Sequence, residues 1–323
     1  VTIISQLTPP GRGAVASILV AGPQALELVG RHFFPASGKS LSELPCGRVV
    51  FGTFHSLETA GEEVVVGLQA SSHLEIHCHG GSYAAAAVMK RLTQNGATII
   101  PWQQVATFLE PDGIAAEARV ALSNVRTERT ARILLEQYYG ALRKCLDLTI
   151  ENLESVPAEF DTASKRLGRL LDLVPLGKHL TIPWRVFIAG EPNVGKSSLM
   201  NALVGYQRSI VFDQPGTTRD LLTASTALDG WPIELVDSAG LRDSEDVLES
   251  AGVARATAGL AVADLVLWVE DASTALAASR MARPCVGAGV LTLNVKNKAD
   301  LLPAGELPQD AGTIAVSALT GQG

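Results

Sequence analysis

The sequence predicts a multidomain α/β protein. An N-terminal α+β domain covers residues 1–110, a central helical domain 111–181, and a P-loop domain with a mostly parallel sheet 182–323. Three observations predict it. First, the apolar run Val186-Phe187-Ile188-Ala189 leads into Gly190-Glu191-Pro192-Asn193-Val194-Gly195-Lys196-Ser197, and a helix-like segment, Ser198–Leu203, follows. Strand, glycine-bounded loop and helix form the setting in which G-x-x-x-x-G-K-[ST] cradles phosphate. Second, the apolar runs Ile233–Val236, Leu265–Val269, Val290–Val295 and Thr313–Val316 are separated by helix-length segments, which implies parallel strands with helices on both faces. Third, residues 1–110 interleave strand-like runs with two helices, whereas 111–180 turn to helical periodicity.

A chain of 323 residues has room for two or three domains, and 47% apolar with 18% charged residues is a globular composition. No apolar run is long enough to span a bilayer, and Val1-Thr2-Ile3-Ile4-Ser5-Gln6 lacks the basic region and cleavage site of a signal peptide. Cys46, Cys78, Cys145 and Cys285 form no C-x-x-C pair, so neither a disulfide framework nor a zinc ribbon is indicated. A cytoplasmic protein with no membrane partner is expected. The net charge of −7 argues against a broad electrostatic grip on nucleic acid and leaves room for a local basic patch.

In the first domain, Ala14–Val20 reads as a strand and Gly22-Pro23 opens a helix running to about Phe34. Strands are expected at Val49–Phe54, Glu63–Leu68 and His73–Cys78. Gly80-Gly81 then leads into an alanine-rich helix, Ser82–Gln94, and Ala97–Ile100 returns as a strand. His73, Glu75, His77 and His79 alternate with Leu74, Ile76 and Cys78, so period 2 puts the polar groups on one face. Two readings stand: a half-buried strand with a polar face, or imidazole and carboxylate ligands of a metal-enzyme site.

In the helical stretch, Arg126, Arg129 and Arg132 recur at helical spacing beside an apolar stripe of Leu134, Leu135 and Leu142. The arginines read as a solvated face paired with Glu128 and Glu136, with RNA phosphates as the alternative partner. A second stripe is Leu167, Leu170, Leu171 and Val174, and Pro175-Leu176-Gly177 reads as the linker to the last domain.

In the last domain the backbone N–H groups of the loop and of the helix N-terminus, with Val194, Gly195 and Ser198 among their positions, face the phosphates. Lys196 reaches the β and γ phosphates, and the Ser197 hydroxyl ligates Mg²⁺. Asp237-Ser238-Ala239-Gly240 follows an apolar strand, so Asp237 holds Mg²⁺ through water and the Gly240 N–H bonds the γ-phosphate. Between them in sequence, Gly216-Thr217-Thr218-Arg219-Asp220 offers Thr218 to the Mg²⁺ shell while the γ-phosphate is present. Asn297-Lys298-Ala299-Asp300 follows a further strand, and the Asp300 carboxylate can accept from guanine N1–H and the exocyclic amino group. Adenine offers neither donor and would leave a buried acceptor unpaired. Ser317-Ala318-Leu319 supplies a last backbone contact to the base. The four elements in this order predict GTP and GDP as ligands.

Leu241 stands where many small GTPases place the glutamine that orients the attacking water. An aliphatic side chain cannot do that, so another group must. Asn193 is a candidate cation ligand in the loop, and Asp243, Glu245, Asp246 and Glu249 are candidates for the water.

These residues resemble the TrmE/MnmE family of tRNA-modification GTPases. The segments that carry the resemblance are Thr8-Pro9-Pro10-Gly11-Arg12-Gly13, Glu75–Gly81, Gly190–Ser198, Gly216–Asp220 and Asp237–Arg242. The resemblance implies an N-terminal domain that binds a one-carbon tetrahydrofolate and mediates a homodimer, with Arg12 carried over as a cofactor-binding position. It implies a central helical domain into which the GTPase domain is inserted. It further implies a FAD-dependent partner protein and modification of tRNA at C5 of the wobble uridine. By the same resemblance the GTPase domains meet across their nucleotide faces and K⁺ assists hydrolysis. Asn193 would then be the K⁺ ligand, backbone carbonyls around Val211–Gly216 would complete the site, and Glu249 would orient the water.

Three segments depart from the family pattern. The Cys-x-Gly-Lys motif is not in the sequence, residues 101–107 read Pro-Trp-Gln-Gln-Val-Ala-Thr, and Phe212-Asp213-Gln214-Pro215 replaces the usual cation-loop sequence. The chain is therefore identified as a diverged or C-terminally truncated member. The alternative is a GTP-dependent switch or assembly factor that no longer modifies tRNA.

Overall fold

The computed structural model describes residues 1–11, 13–55, 61–110, 112–155, 160–206, 222–237, 263–274, 290–303 and 312–323. The chain divides into two compact units, Val1–Val120 and Ala121–Gly323.

The first unit is built on a seven-stranded sheet. Its strands are β1 (Thr2–Gln6), β2 (Val15–Ala21), β3 (Phe33–Pro35), β4 (Arg48–Phe54), β5 (Glu62–Ala70), β6 (His73–His79) and β7 (Ala97–Ile99). Their spatial order is β3-β4-β5-β6-β2-β1-β7. Every pair is antiparallel except β1 with β7. Helices α1 (Ala25–Gly30) and α2 (Ser82–Gln94) bury Leu28, Val29, Val88 and Leu92 against Ile18, Val20, Leu74 and Ile76. On the opposite face Val105 of α3 (Trp102–Leu109) packs on Ile3, Leu19 and Ala21. Helix α4 (Gly113–Leu122) follows α3.

Two expectations change here. The helix expected to run to Phe34 stops at Gly30, because Phe33 is 2% exposed and pairs with Phe54 as the start of an edge strand. Proline at 35 is tolerated at such an edge. Thr2–Gln6, read only as the chain start, is a strand between β2 and β7.

The second unit opens with helices α5 (Glu128–Tyr138), α6 (Ala141–Ser155), α7 (Phe160–Asp172) and α8 (Val174–Lys178). Thr127 caps α5, its hydroxyl accepting from Thr130 N. The segment read as a linker is helix α8, since proline in a first turn lacks only an N–H that would go unpaired anyway.

The second sheet has the strands β8 (Trp184–Gly190), β9 (Leu222–Leu228), β10 (Trp231–Asp237), β11 (Leu265–Asp271), β12 (Leu291–Asn297) and β13 (Thr313–Ala315). The order is β13-β12-β11-β8-β10-β9, parallel throughout except for the β9–β10 hairpin. Helix α9 (Lys196–Tyr206) lays Leu199 and Met200 over Ile188, Leu235 and Val269. Strands that run in one direction bring their C-terminal ends, Gly190, Asp237, Asp271 and Asn297, to one edge of the sheet, where the crevice of such folds binds ligand.

At the other end the hairpin turns through Asp229-Gly230, both at positive φ (47° and 74°), and Leu228 pairs with Trp231. Asp-Gly in a two-residue loop is the turn whose twist matches its strands. Arg129 is exposed, as expected of a solvated face, but it clasps this turn rather than pairing with a glutamate. Its guanidinium donates to Asp229 O at 2.7 Å, pairs with the Asp229 carboxylate and lies 5.2 Å over the Trp231 ring. The Thr127 hydroxyl donates to Gly230 O at 2.6 Å. Arg132 makes the expected helical pair, with Glu128, and that pair is exposed.

Candidate functional site

The phosphate loop takes its shape from three residues at positive φ: Gly190 (149°), Asn193 (64°) and Gly195 (89°). A Cβ on Gly190 would meet Val269 O at 2.1 Å, and one on Gly195 would meet Asn297 Nδ2 at 2.4 Å. Both positions therefore require glycine for close approach as well as for conformation. Lys196 is buried, and its ammonium donates to Gly190 O at 3.2 Å and Glu191 O at 2.8 Å across the loop. Ser197 donates to Asp237 Oδ2 at 2.7 Å, and Asp237 is fully buried. Val194 packs inward while Asn193 and Ser198 are exposed.

The segment expected to read the base is tied directly to the loop. Asn297 is 2% exposed; its amide donates to Val194 O at 2.9 Å and its Oδ1 accepts from Ala318 N at 3.0 Å. One side chain thus joins the phosphate loop, the end of β12 and the Ser317–Leu319 turn. Lys298 follows at φ 65°, and a 3-10 turn, Ala299–Leu301, carries Asp300. The Asp300 carboxylate accepts from the Ser317 hydroxyl, which in turn accepts from Thr320 N at 3.1 Å.

Asp271, at the end of β11, joins this cluster although the sequence reading did not single it out. Its Oδ2 accepts from Lys298 Nζ at 2.6 Å, and its Oδ1 from Ser273 N and Oγ at 2.9 and 2.6 Å. Burial alone would raise this carboxyl, but the hydrogen bonds from Lys298 and Ser273 outweigh it and hold the group below the usual carboxylate range. The signal was available: Asp271 ends an apolar strand as Asp237 does.

Several expected residues lie outside the described residues. They are Arg12, the segment Val211–Gly216, Thr217, Thr218, Gly240, Leu241 and the run Asp243, Glu245, Asp246 and Glu249. The structure brings together Asn193, Val194, Gly195, Lys196, Ser197, Ser198 and Asp237 around the loop, with Asn297, Lys298, Asp300, Ser317 and Ala318 beside it.

In the first unit Leu74, Ile76 and Cys78 enter the core, and burial pushes the Cys78 thiol up to about 11, which leaves it a poor nucleophile. On the opposite face Ser17 Oγ lies 2.8 Å from His77 Nδ1, and His79 Nδ1 lies 2.6 Å from Glu62. Burial lowers the His73 imidazole, partly opposed by Glu75. Among the described residues no three His, Cys, Asp or Glu side chains converge on a metal-binding point. No helix among them is long and apolar enough to cross a membrane.

Residues 2–100 match the family model described as GTP-binding protein TrmE N-terminus, and residues 185–288 the one described as 50S ribosome-binding GTPase. The tRNA modification GTPase MnmE of Moorella thermoacetica is 33% identical across 100% of this chain and 79% of its own length. That of Symbiobacterium thermophilum is 32% identical over 100% and 80%, and that of Parasynechococcus marenigrum 34% over 100% and 79%. The solved G domain of the T. maritima FeoB iron transporter aligns at 27% identity over 43% of this chain and 91% of its own, with a TM-score of 0.27.

Proposed function

The chain belongs to the TrmE/MnmE family of tRNA-modification GTPases, and from that premise we propose that it binds and hydrolyses GTP to drive modification of tRNA at C5 of the wobble uridine. The observation that carries the nucleotide part is the junction at Asn297, which joins a phosphate loop and a base-reading turn at one sheet edge. The relatives' shared activity in tRNA modification weighs against the alternative of a switch that has lost it.

The residues suit the reaction. A hydroxyl and a fully buried carboxylate 2.7 Å apart, Ser197 and Asp237, offer the oxygen donors that Mg²⁺ prefers. Bound there, Mg²⁺ would offset charge on the β–γ phosphates. In hydrolysis a water oxygen bonds to the γ-phosphorus, the bond to the β–γ bridging oxygen breaks, and GDP and inorganic phosphate leave. Lys196 Nζ, held at the loop's carbonyls, is the cation that would neutralise charge growing on those phosphates. Asp300 selects guanine, Thr218 and the Gly240 N–H respond to the γ-phosphate, and Glu249 orients the water that Leu241 cannot. The exposed Asn193, with its backbone in the left-handed region, is the side chain we assign to K⁺.

The further assignments follow the family: a homodimer through residues 1–110, a central helical domain over 111–181 and a GTPase domain over 182–323, working in the cytoplasm with tRNA and a FAD-dependent partner protein. A cleft of about 530 Å³ beside Pro10 and Gly11, lined by Gln6, Ser82, Met89 and Lys90, has the size of a small-molecule site and is where we place the one-carbon tetrahydrofolate.

The test is the steady-state GTPase rate in K⁺ and in Na⁺ at equal ionic strength. We expect at least about tenfold stimulation by K⁺, abolished by Glu249→Ala. Equal rates in both salts, unaffected by Glu249→Ala, would contradict cation-assisted hydrolysis.

A further inference from the structure

We propose that Asp271 is a positioning residue for base recognition, holding Lys298 and through it the turn that presents Asp300. The inference rests on the nucleotide reading above.

Asp271 and Asn297 face each other in register at the ends of the parallel strands β11 and β12, and Ala272 N donates to Asn297 O at 2.7 Å. The chain leaves β12 through Lys298 at φ 65°, ψ 34°. That left-handed conformation is unfavourable for any residue with a Cβ, so it persists only where surrounding contacts impose it. The ammonium of Lys298 is fixed at 2.6 Å on Asp271 Oδ2. The carboxylate is fixed in turn, because its other oxygen is taken by Ser273 N and Oγ. Neither member of the pair is more than one-third exposed, with side chains 33% and 16% accessible, so solvent screens it less than a surface ion pair. Two residues on, Asp300 sits in the 3-10 turn that begins at this left-handed residue, with Leu301 N donating to Lys298 O at 3.0 Å. Fixing Lys298 therefore fixes the path from the strand end, where Asn297 grips the phosphate loop, to the carboxylate that reads the base. The Asp271 carboxyl is held below its usual range by these hydrogen bonds, which keeps it in its acceptor form at neutral pH.

Asp271→Asn keeps an acceptor for Ser273 and presents an uncharged amide to the lysine. The measurement is competitive displacement of a fluorescent guanine nucleotide by GDP and by inosine diphosphate, which lacks the exocyclic amino group. It is made on the full chain and on Asp271→Asn, Lys298→Met and the double variant. Loss of one charge-assisted hydrogen bond at a positioning group predicts about tenfold weaker GDP binding in Asp271→Asn. A loosened Asp300 also lowers the ratio by which GDP is preferred over inosine diphosphate, which a merely structural role would leave unchanged. In the Lys298→Met background the Asp271→Asn change is expected to add less than about twofold, since the two residues act as one unit. An unchanged ratio in Lys298→Met, unchanged affinity in Asp271→Asn, or equal losses in both backgrounds would overturn the proposal. Failure of the unaltered chain to bind GDP would overturn the nucleotide reading itself, and this inference with it.

Discussion

Lys196→Ala is expected to lower the steady-state GTP hydrolysis rate by about 10²–10³-fold, the loss typical of removing one preorganised group that faces transition-state charge. The side chain is buried, and in the structure its ammonium bridges two carbonyls of its own loop, Gly190 O and Glu191 O. The same substitution leaves both carbonyls without that donor, so nucleotide affinity should fall along with the rate. Thermal melting of the apo variant separates chemistry from folding: the prediction is a small shift in midpoint beside a large loss of rate. A rate within threefold of the unaltered chain, roughly 0.7 kcal/mol in barrier, would show that the loop does not meet the reacting phosphate.

Gly190→Ala is expected to destabilise the nucleotide-binding unit by about 3 kcal/mol or more, because the new methyl has no space and the backbone no room to shift. Its Cβ would stand 2.1 Å from Val269 O and 3.1 Å from Val269 C, and both belong to the strand paired with Gly190 in the middle of the sheet. The residue also holds φ 149°. Relief would require β8 and β11 to part where Ile188 and Val269, both fully buried, close the core. Urea denaturation followed by circular dichroism reads this directly, as a lower midpoint and loss of the cooperative step belonging to this unit. An unchanged midpoint would mean that the loop and β11 do not approach each other as described.

Much of this site was legible because it is encoded locally. A phosphate loop needs its glycines, lysine and serine within eight consecutive positions, and β8, β10, β11 and β12 each announce themselves as apolar runs. The alternation His73–His79 likewise fixed which side chains face the core, since period 2 leaves no choice once Ile76 is inward. What escaped is what depends on partners distant in sequence. Arg129 sits 100 residues from Asp229, and nothing in its helical spacing reveals that it clasps a hairpin. Asp271 lies 27 residues from Lys298, and the pairing exists only because β11 and β12 are in parallel register. The strand β9 escaped for another reason: Leu-Thr-Ala-Ser-Thr-Ala-Leu is too polar and small to read as an apolar run. Asp229-Gly230 flanked by two extended segments was the hairpin signal that could have found it. The short strands β1 and β3 were hidden at a chain start and behind a glycine, where periodicity has too few residues to register.

The proposed site both holds phosphates and reads a guanine. The measurement that tests it most directly is a pair of calorimetric titrations of the full chain, with GDP and with ADP, in Mg²⁺. A saturable one-site isotherm is expected for GDP, with at least about 10³-fold weaker binding of ADP, because adenine would leave the Asp300 acceptor unpaired. Equal affinity for the two nucleotides would contradict base selection at Asp300 and the junction at Asn297, and no binding of either would contradict the site as a whole.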